Sequence, residues 1–145
     1  MLNASTLAGT YSSLGFAGGG VIMSSSGANS LLHFSSLSSI NAGFNDGSNT
    51  VRAQQINATG SGVVDLSGVA TLTAPARADD RIDFNISSGG ELDLSSLSIV
   101  SGSGQMLVNS NGVSGGDTIC FGLTATGGER VTTSAAAAAG WSGLT

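Results

Sequence analysis

Three nine-residue segments of the chain share one pattern of hydrophobic and polar positions. They cover residues 32–40, 64–72 and 92–100, so their first residues lie 32 and 28 positions apart. Each segment is apolar at its first, third, sixth and ninth positions, with Ser at the fourth and Ser or Gly at the fifth. The alternation at the start, as in Leu92-Asp93-Leu94, is typical of a half-buried strand. The later break in alternation predicts a two-residue corner, since Ser and Gly tolerate turn conformations.

A second repeated element lies between these segments, in residues 51–60, 81–90 and 106–112. In each copy an apolar residue is followed by Asn, at Asn57, Asn85 and Asn109. Seven residues after Asn57 and Asn85 the first pattern begins again, at Val64 and Leu92. The repeating unit is therefore strand, corner, strand and Gly-rich turn.

Repetition of this unit indicates how the strands are arranged. A single unit cannot bury its apolar face, whereas stacked units bury a continuous core. We therefore predict an all-β fold, a short parallel β-solenoid (β-helix) of about four rungs. A β-sandwich is the alternative, because its strands also recur at short intervals. In the solenoid, equivalent residues form interior columns, namely Leu32/Val64/Leu92, Phe34/Leu66/Leu94, Leu37/Val69/Leu97 and Ile40/Leu72/Val100.

The chain is predicted to form one domain over residues 1–145. Residues 1–23 are an atypical first rung, residues 24–117 hold the repeats, and residues 118–145 form a C-terminal rung and cap. The alanine run at 135–139 has the highest helix propensity and ends at Gly140. With Trp141, this short element is expected to cover one open end of the stack.

Composition excludes several classes of protein. Gly occurs 23 times and Ser 25 times, but 40% of the residues are hydrophobic, which argues against disorder. Charged residues make up 9%, Lys is absent and the net charge is -5, which argues against binding nucleic acid. The sequence has no run of about 20 apolar residues, so no membrane span is predicted. The one cysteine, Cys120, excludes an internal disulfide and is expected to be a small buried hydrophobic residue.

The segments Leu92-Asp93-Leu94-Ser95-Ser96-Leu97 and Val64-Asp65-Leu66-Ser67-Gly68-Val69 resemble known repeats. They are similar to the Ser/Gly-rich β-helix repeats of large bacterial surface and secreted proteins, including filamentous-haemagglutinin-like adhesins. The resemblance covers about residues 30–112. It implies a β-helix fold and an adhesive role at a cell surface. Phage tail fibres and spikes also use β-helices.

Three carboxylates are the candidate site residues. Asp65 and Asp93 occupy the same repeat position, and Asp83 is predicted to point outward from the second strand. Stacked carboxylates about 5 Å apart repel each other, and a Ca²⁺ ion between them would relieve that repulsion. A full Ca²⁺ site needs about six oxygen ligands, so the stronger prediction is a solvated face with no metal and no cofactor. His33 replaces Asp at the equivalent position and is expected to be an exposed imidazole.

No catalytic motif is present, so we predict a non-enzymatic, extracellular or surface-exposed structural and interaction protein. Open strand edges and the absence of Lys favour a homo-oligomer or polymer, such as a filament or adhesin-type assembly. Carbohydrate or a cell surface is the expected external partner. The alternatives are a virion fibre or spike component and a carbohydrate-acting β-helix enzyme that uses the same carboxylates.

Overall fold

The structure is a computed structural model that describes residues 2–4, 6–14, 18–110, 118–121 and 131–133. These residues form β-strands, turns and loops, and no α-helix occurs among them. Within the same residues, no helix has the length and hydropathy needed to cross a bilayer. The predicted helical run at 135–139 and the covering role of Trp141 lie outside the described residues.

The strands follow one another in short segments. In chain order they are β1 (Leu2–Asn3), β2 (Gly9–Ser12), β3 (Gly20–Ser26), β4 (Leu31–His33), β5 (Leu37–Asn41), β6 (Ala53–Thr59), β7 (Val63–Asp65), β8 (Thr71–Thr73), β9 (Arg81–Ser87), β10 (Glu91–Leu94), β11 (Ile99–Ser101), β12 (Gln105–Ser110), β13 (Thr118–Phe121) and β14 (Val131–Thr133). Cys120 lies in β13, and the predicted burial of its side chain falls outside what the structure describes.

Successive strands enter three different sheets, so the chain winds as a solenoid of about four turns. The first sheet has the order β1-β4-β7-β10-β13, the second β11-β8-β5-β2, and the third β14-β12-β9-β6-β3. Each described strand pair is parallel. A β-sandwich built from consecutive antiparallel strands is excluded, and the predicted parallel β-solenoid is confirmed.

The register of the turns follows the sequence repeat. Val64 lies opposite both Leu32 and Leu92, and Leu72 lies opposite both Ile40 and Val100. Each predicted corner is closed by a backbone hydrogen bond across its two central residues, from Leu37 N to Phe34 O, Val69 N to Leu66 O and Leu97 N to Leu94 O, at 2.9–3.0 Å. The corner brings the sixth position of each segment back to the interior, where Leu37, Val69 and Leu97 are buried.

The third sheet completes the core and carries an amide ladder on its outer side. Phe84 lies opposite Ile56 and Val108 in the neighbouring turns, and all three are buried. The next residue in each turn is an asparagine that points the other way. Asn85 Nδ2 donates to Asn57 Oδ1 at 2.8 Å, and the Asn109 side chain donates in the same way to Asn85 at 2.9 Å. Stacking of the repeated apolar-Asn pair thus forms a buried column of the apolar residues and an outer ladder of the asparagines.

The Gly-rich turns connect the third sheet to the first. Gly62 and Gly90 occupy equivalent places, directly before β7 and β10. A Cβ at Gly62 would lie 2.6 Å from the backbone of Ser25, and one at Gly90 would overlap the carbonyl oxygen of Ala58. Glycine is required here because the turns stack backbone against backbone.

The connection from the second sheet to the third changes length from turn to turn, which explains the unequal repeat spacing. It covers residues 42–52, then 74–80, then 102–104. Charged side chains hold the two longer loops together. Arg52 Nε lies 3.2 Å from Asp46, and Arg77 lies 3.6 Å from Asp80. The fully buried Asp80 also accepts a 2.8 Å hydrogen bond from the Arg52 backbone N–H.

Candidate functional site

The outer face of the first sheet gathers the only histidine and two of the candidate carboxylates. His33 lies opposite Asp65, and Asp65 lies opposite Asp93, because β4, β7 and β10 pair in register. This confirms that Asp65 and Asp93 share one column. A pocket of about 220 Å³ opens on this face, lined by Leu31, His33, Val63, Asp65, Glu91, Leu92 and Asp93.

Asp65 is held by two neighbours. Its Oδ2 lies 2.5 Å from His33 Nδ1, and its Oδ1 accepts a 3.0 Å hydrogen bond from the Ser67 backbone N–H. Partial burial by itself raises the pKa of Asp65, but the hydrogen bonds from Ser67 and the contact with His33 outweigh burial and lower the pKa below its ordinary value of 3.8. The carboxylate therefore stays ionised at neutral pH and faces the imidazole.

His33 has a partner on each ring nitrogen. Besides the Asp65 contact at Nδ1, its Nε2 lies 3.1 Å from Ser35 Oγ. The imidazole lies on the outer face of the sheet, as expected, but its side chain is 29% exposed and therefore half-buried rather than fully exposed. The available signal was the alignment itself, since His33 and Asp65 occupy equivalent positions in adjacent turns and such positions stack.

Asp93 shows what the carboxylates do for the fold. Its Oδ1 accepts a 2.9 Å hydrogen bond from the Ser95 backbone N–H, as Asp65 does from Ser67. The Asp-x-Ser sequence is thus a local turn in which the carboxylate caps the start of the corner. Among the described residues, no group of three or more His, Cys, Asp or Glu side chains is arranged to hold a metal ion.

Asp83 lies apart from the other two carboxylates, on β9 of the third sheet. It alternates with the core residues Ile82 and Phe84 and so points outward, as predicted, but it is only 4% exposed. The expectation of a solvated Asp83 is therefore wrong. Arg81 Nε donates to Asp83 Oδ2 at 3.0 Å and lies 2.9 Å from Oδ1, which has no hydrogen bond of its own. Burial raises the pKa of Asp83, and Arg81 offsets only part of that effect.

The raised pKa of Asp83 predicts a specific pH dependence of stability. From pH 3.8 up to its folded-state pKa, the folded protein holds the Asp83 proton more tightly than the unfolded chain does. The contribution of Asp83 to the free energy of unfolding therefore falls as pH rises through this window. We expect urea denaturation at pH 3 to 7 to show the wild type losing stability relative to Asp83→Asn as pH increases.

A matched control for this experiment removes an exposed charge. Asp79 is 74% exposed in its side chain, so Asp79→Asn changes net charge by the same amount without removing a buried carboxylate. Its curve should run parallel to that of the wild type across the window. A curve for Asp83→Asn that also runs parallel would contradict the assignment of a raised pKa to Asp83.

The first-sheet face thus combines an aligned Ser35, His33 and Asp65 with a pocket of mixed apolar and acidic lining. The third-sheet face supplies the amide ladder and the ion pair between the buried Asp83 and the more exposed Arg81. The chain matches no protein-family model, no curated protein and no solved structure.

Proposed function

We propose that the chain is an extracellular or surface-exposed structural module that assembles end to end with further copies of itself. The observation that carries this proposal is the uncharged N-terminal edge of the solenoid. Within the described residues β1, β2 and β3 each pair on one side only. None of the first 45 residues is Asp, Glu, Lys or Arg.

An open, uncharged edge favours pairing with another chain. Its unpaired N–H and C=O groups form a template for a further strand, and proteins usually block such edges with charged residues, above all Lys. In this sequence all arginine, aspartate and glutamate residues follow the first 45 residues, and the first of them is Asp46. The first turn therefore lacks the charges that would keep a second copy away.

The third-sheet strand β3 is the most extended part of this edge. It spans Gly20–Ser26, and its pairing with β6 shifts register between Val21 and Met23. From Met23 to Ser26 the register is continuous, and Ser24 and Ser26 are exposed. We propose that these last four residues of β3 are the main pairing segment, because a further strand pairs poorly with the irregular part of an edge strand.

A second copy could meet this edge through its opposite end. In the second sheet β2 lies at one margin and β11 at the other, and within the described residues β11 has a neighbour only in β8. Ile99 on β11 is 55% exposed. Contact between the two different ends of a solenoid does not close on itself, so repeated contacts build a filament.

The carboxylates do not favour the carbohydrate-acting alternative. A glycosidase pair needs two carboxyl groups free to act on opposite sides of one bond. Asp65 and Asp93 are stacked on the same face, and each uses an oxygen to close its own corner. We therefore propose that these carboxylates serve the fold rather than polysaccharide cleavage.

Sedimentation over a range of micromolar concentrations tests the assembly proposal. We expect the wild type to form species larger than 14.1 kDa whose size grows with concentration. The double variant Ser24→Lys, Ser26→Lys should shift the distribution to the monomer, because the added charges block the edge. The control Ser36→Lys, Ser96→Lys adds the same charge at exposed corner positions and should assemble as the wild type does.

Either of two results would overturn the proposal. One is a single wild-type species near 14.1 kDa at every concentration. The other is assembly that persists unchanged in the β3 lysine variant, which would place the contact elsewhere.

A further inference from the structure

We propose that Ser35, His33 and Asp65 form a nucleophilic serine site that accepts the acyl group of small neutral or cationic esters. This activity goes beyond assembly and does not depend on it. It concerns one corner of the second turn, where the chain passes from β4 into β5.

The atoms that face one another are those a general-base mechanism requires. Ser35 Oγ lies 3.1 Å from His33 Nε2, and His33 Nδ1 lies 2.5 Å from Asp65 Oδ2. A carboxylate at Nδ1 accepts the proton carried there, which leaves Nε2 as the acceptor for the serine hydroxyl. The Ser67 N–H holds the other oxygen of Asp65 at 3.0 Å. Asp65 is thus a positioning residue that orients the imidazole.

Comparison with the other turns shows that this corner is chemically distinct. Ser35, Ser67 and Ser95 occupy equivalent positions, but only Ser35 has histidine two residues before it. Ser67 and Ser95 direct their backbone N–H groups to the preceding aspartate. The backbone N–H of Ser35 has no such carboxylate before it. In serine hydrolases the nucleophile's own N–H helps to bind the oxyanion.

The pocket that His33 and Asp65 line indicates the class of substrate. Its volume of about 220 Å³ is below the roughly 300 Å³ of pockets for drug-sized ligands, so it suits a short acyl or aryl group. Leu31 and Val63 supply apolar lining beside His33. Glu91 and Asp93 add negative charge on the same face, which disfavours anionic esters.

The reaction step is an acyl transfer in two stages. Ser35 Oγ attacks the ester carbonyl carbon while its proton passes to His33 Nε2. The C–O bond to the alcohol breaks, and the alcohol leaves with that proton. Water then attacks the acyl-serine, gives a proton to the same nitrogen, and releases the carboxylic acid with Ser35 restored.

A fluorophosphonate probe and p-nitrophenyl acetate test the site directly. The probe forms a serine–phosphorus bond and loses fluoride, so peptide mass spectrometry identifies the labelled residue in the wild type. We expect labelling at Ser35 and ester hydrolysis that falls at least tenfold, to the buffer rate, in Ser35→Ala and His33→Ala. Ser95→Ala removes the equivalent hydroxyl of another turn and should keep the wild-type rate.

The positioning role of Asp65 is tested by a measurement that loss of structure alone would not reproduce. We expect Asp65→Asn to change the pH profile of hydrolysis as well as lower the rate, and Asp65→Glu to recover part of the rate. The wild-type labelling experiment holds even if a variant fails to fold. Absence of label on Ser35, or equal labelling of Ser35 in folded His33→Ala, would overturn the proposal, and neither result bears on assembly.

Discussion

Leu94→Asp is expected to unfold the protein. Leu94 is 0% exposed and packs in the core cluster, in the same interior column as Leu66. A charge at this position would have no partner, and an uncompensated buried charge costs about 3–5 kcal/mol or more. Total stabilities of about 5–15 kcal/mol leave little margin for such a loss. Far-UV circular dichroism and urea denaturation should both show loss of the folded state.

The same result is expected for Leu66→Asp, because Leu66 is also 0% exposed. The matched control is Ser96→Asp, which places the same charge two residues from Leu94 at an exposed corner position. That variant should keep the wild-type spectrum and midpoint. Folded, stable protein from both leucine variants would mean that this column does not lie in the interior.

Phe84→Ala should cause the next largest loss, about 4 kcal/mol of unfolding free energy. Phe84 is 0% exposed and lies between Ile56 and Val108 of the adjacent turns. Parallel pairing on both sides fixes the backbone, so the neighbouring turns cannot collapse to fill the cavity. Urea denaturation measures the change.

Val51→Ala is the control, since Val51 is 51% exposed in a loop, and it should cost less than about 0.5 kcal/mol. A loss at Phe84 no greater than the loss at Val51 would show that this column is loosely packed or wrongly placed.

The sequence predicted the repeated part of the fold because each turn must bury the same apolar positions. Leu32, Val64 and Leu92 must stack if their segments bury equivalent faces, and the register has them opposite one another. The corners followed from the break in alternation. Both signals are local, and each occurs three times in the chain.

The interior between the first and second turns was less predictable because it is partly polar. Gln54 lies opposite the core residue Ile82, and it is fully buried. Its amide nitrogen donates to Ser13 O at 2.9 Å, and Ser13 Oγ donates to its oxygen at 2.5 Å. Periodicity alone would place an apolar residue at position 54. The polar pair is satisfied only because a loop distant in sequence comes to meet it.

The candidate site shows the same limit. Asp65 and Asp93 were recognised because they share one residue type in the same repeat position. Residue type alone does not link His33 to Asp65, because only their equivalent positions in adjacent turns bring the two side chains together. The burial of Asp83 was missed because alternation predicts direction but not coverage, and Arg81 lies over its carboxylate.

Nuclear Overhauser effects between residues of neighbouring turns measure the register of the parallel strands. The solenoid predicts contacts between Ile40 and Leu72, and between Leu72 and Val100, with the residue numbers on paired strands rising together. An antiparallel pattern would contradict the parallel solenoid. In such a pattern the residue numbers on one strand rise while those on its neighbour fall, as between residues 63–65 and 71–73 in a hairpin.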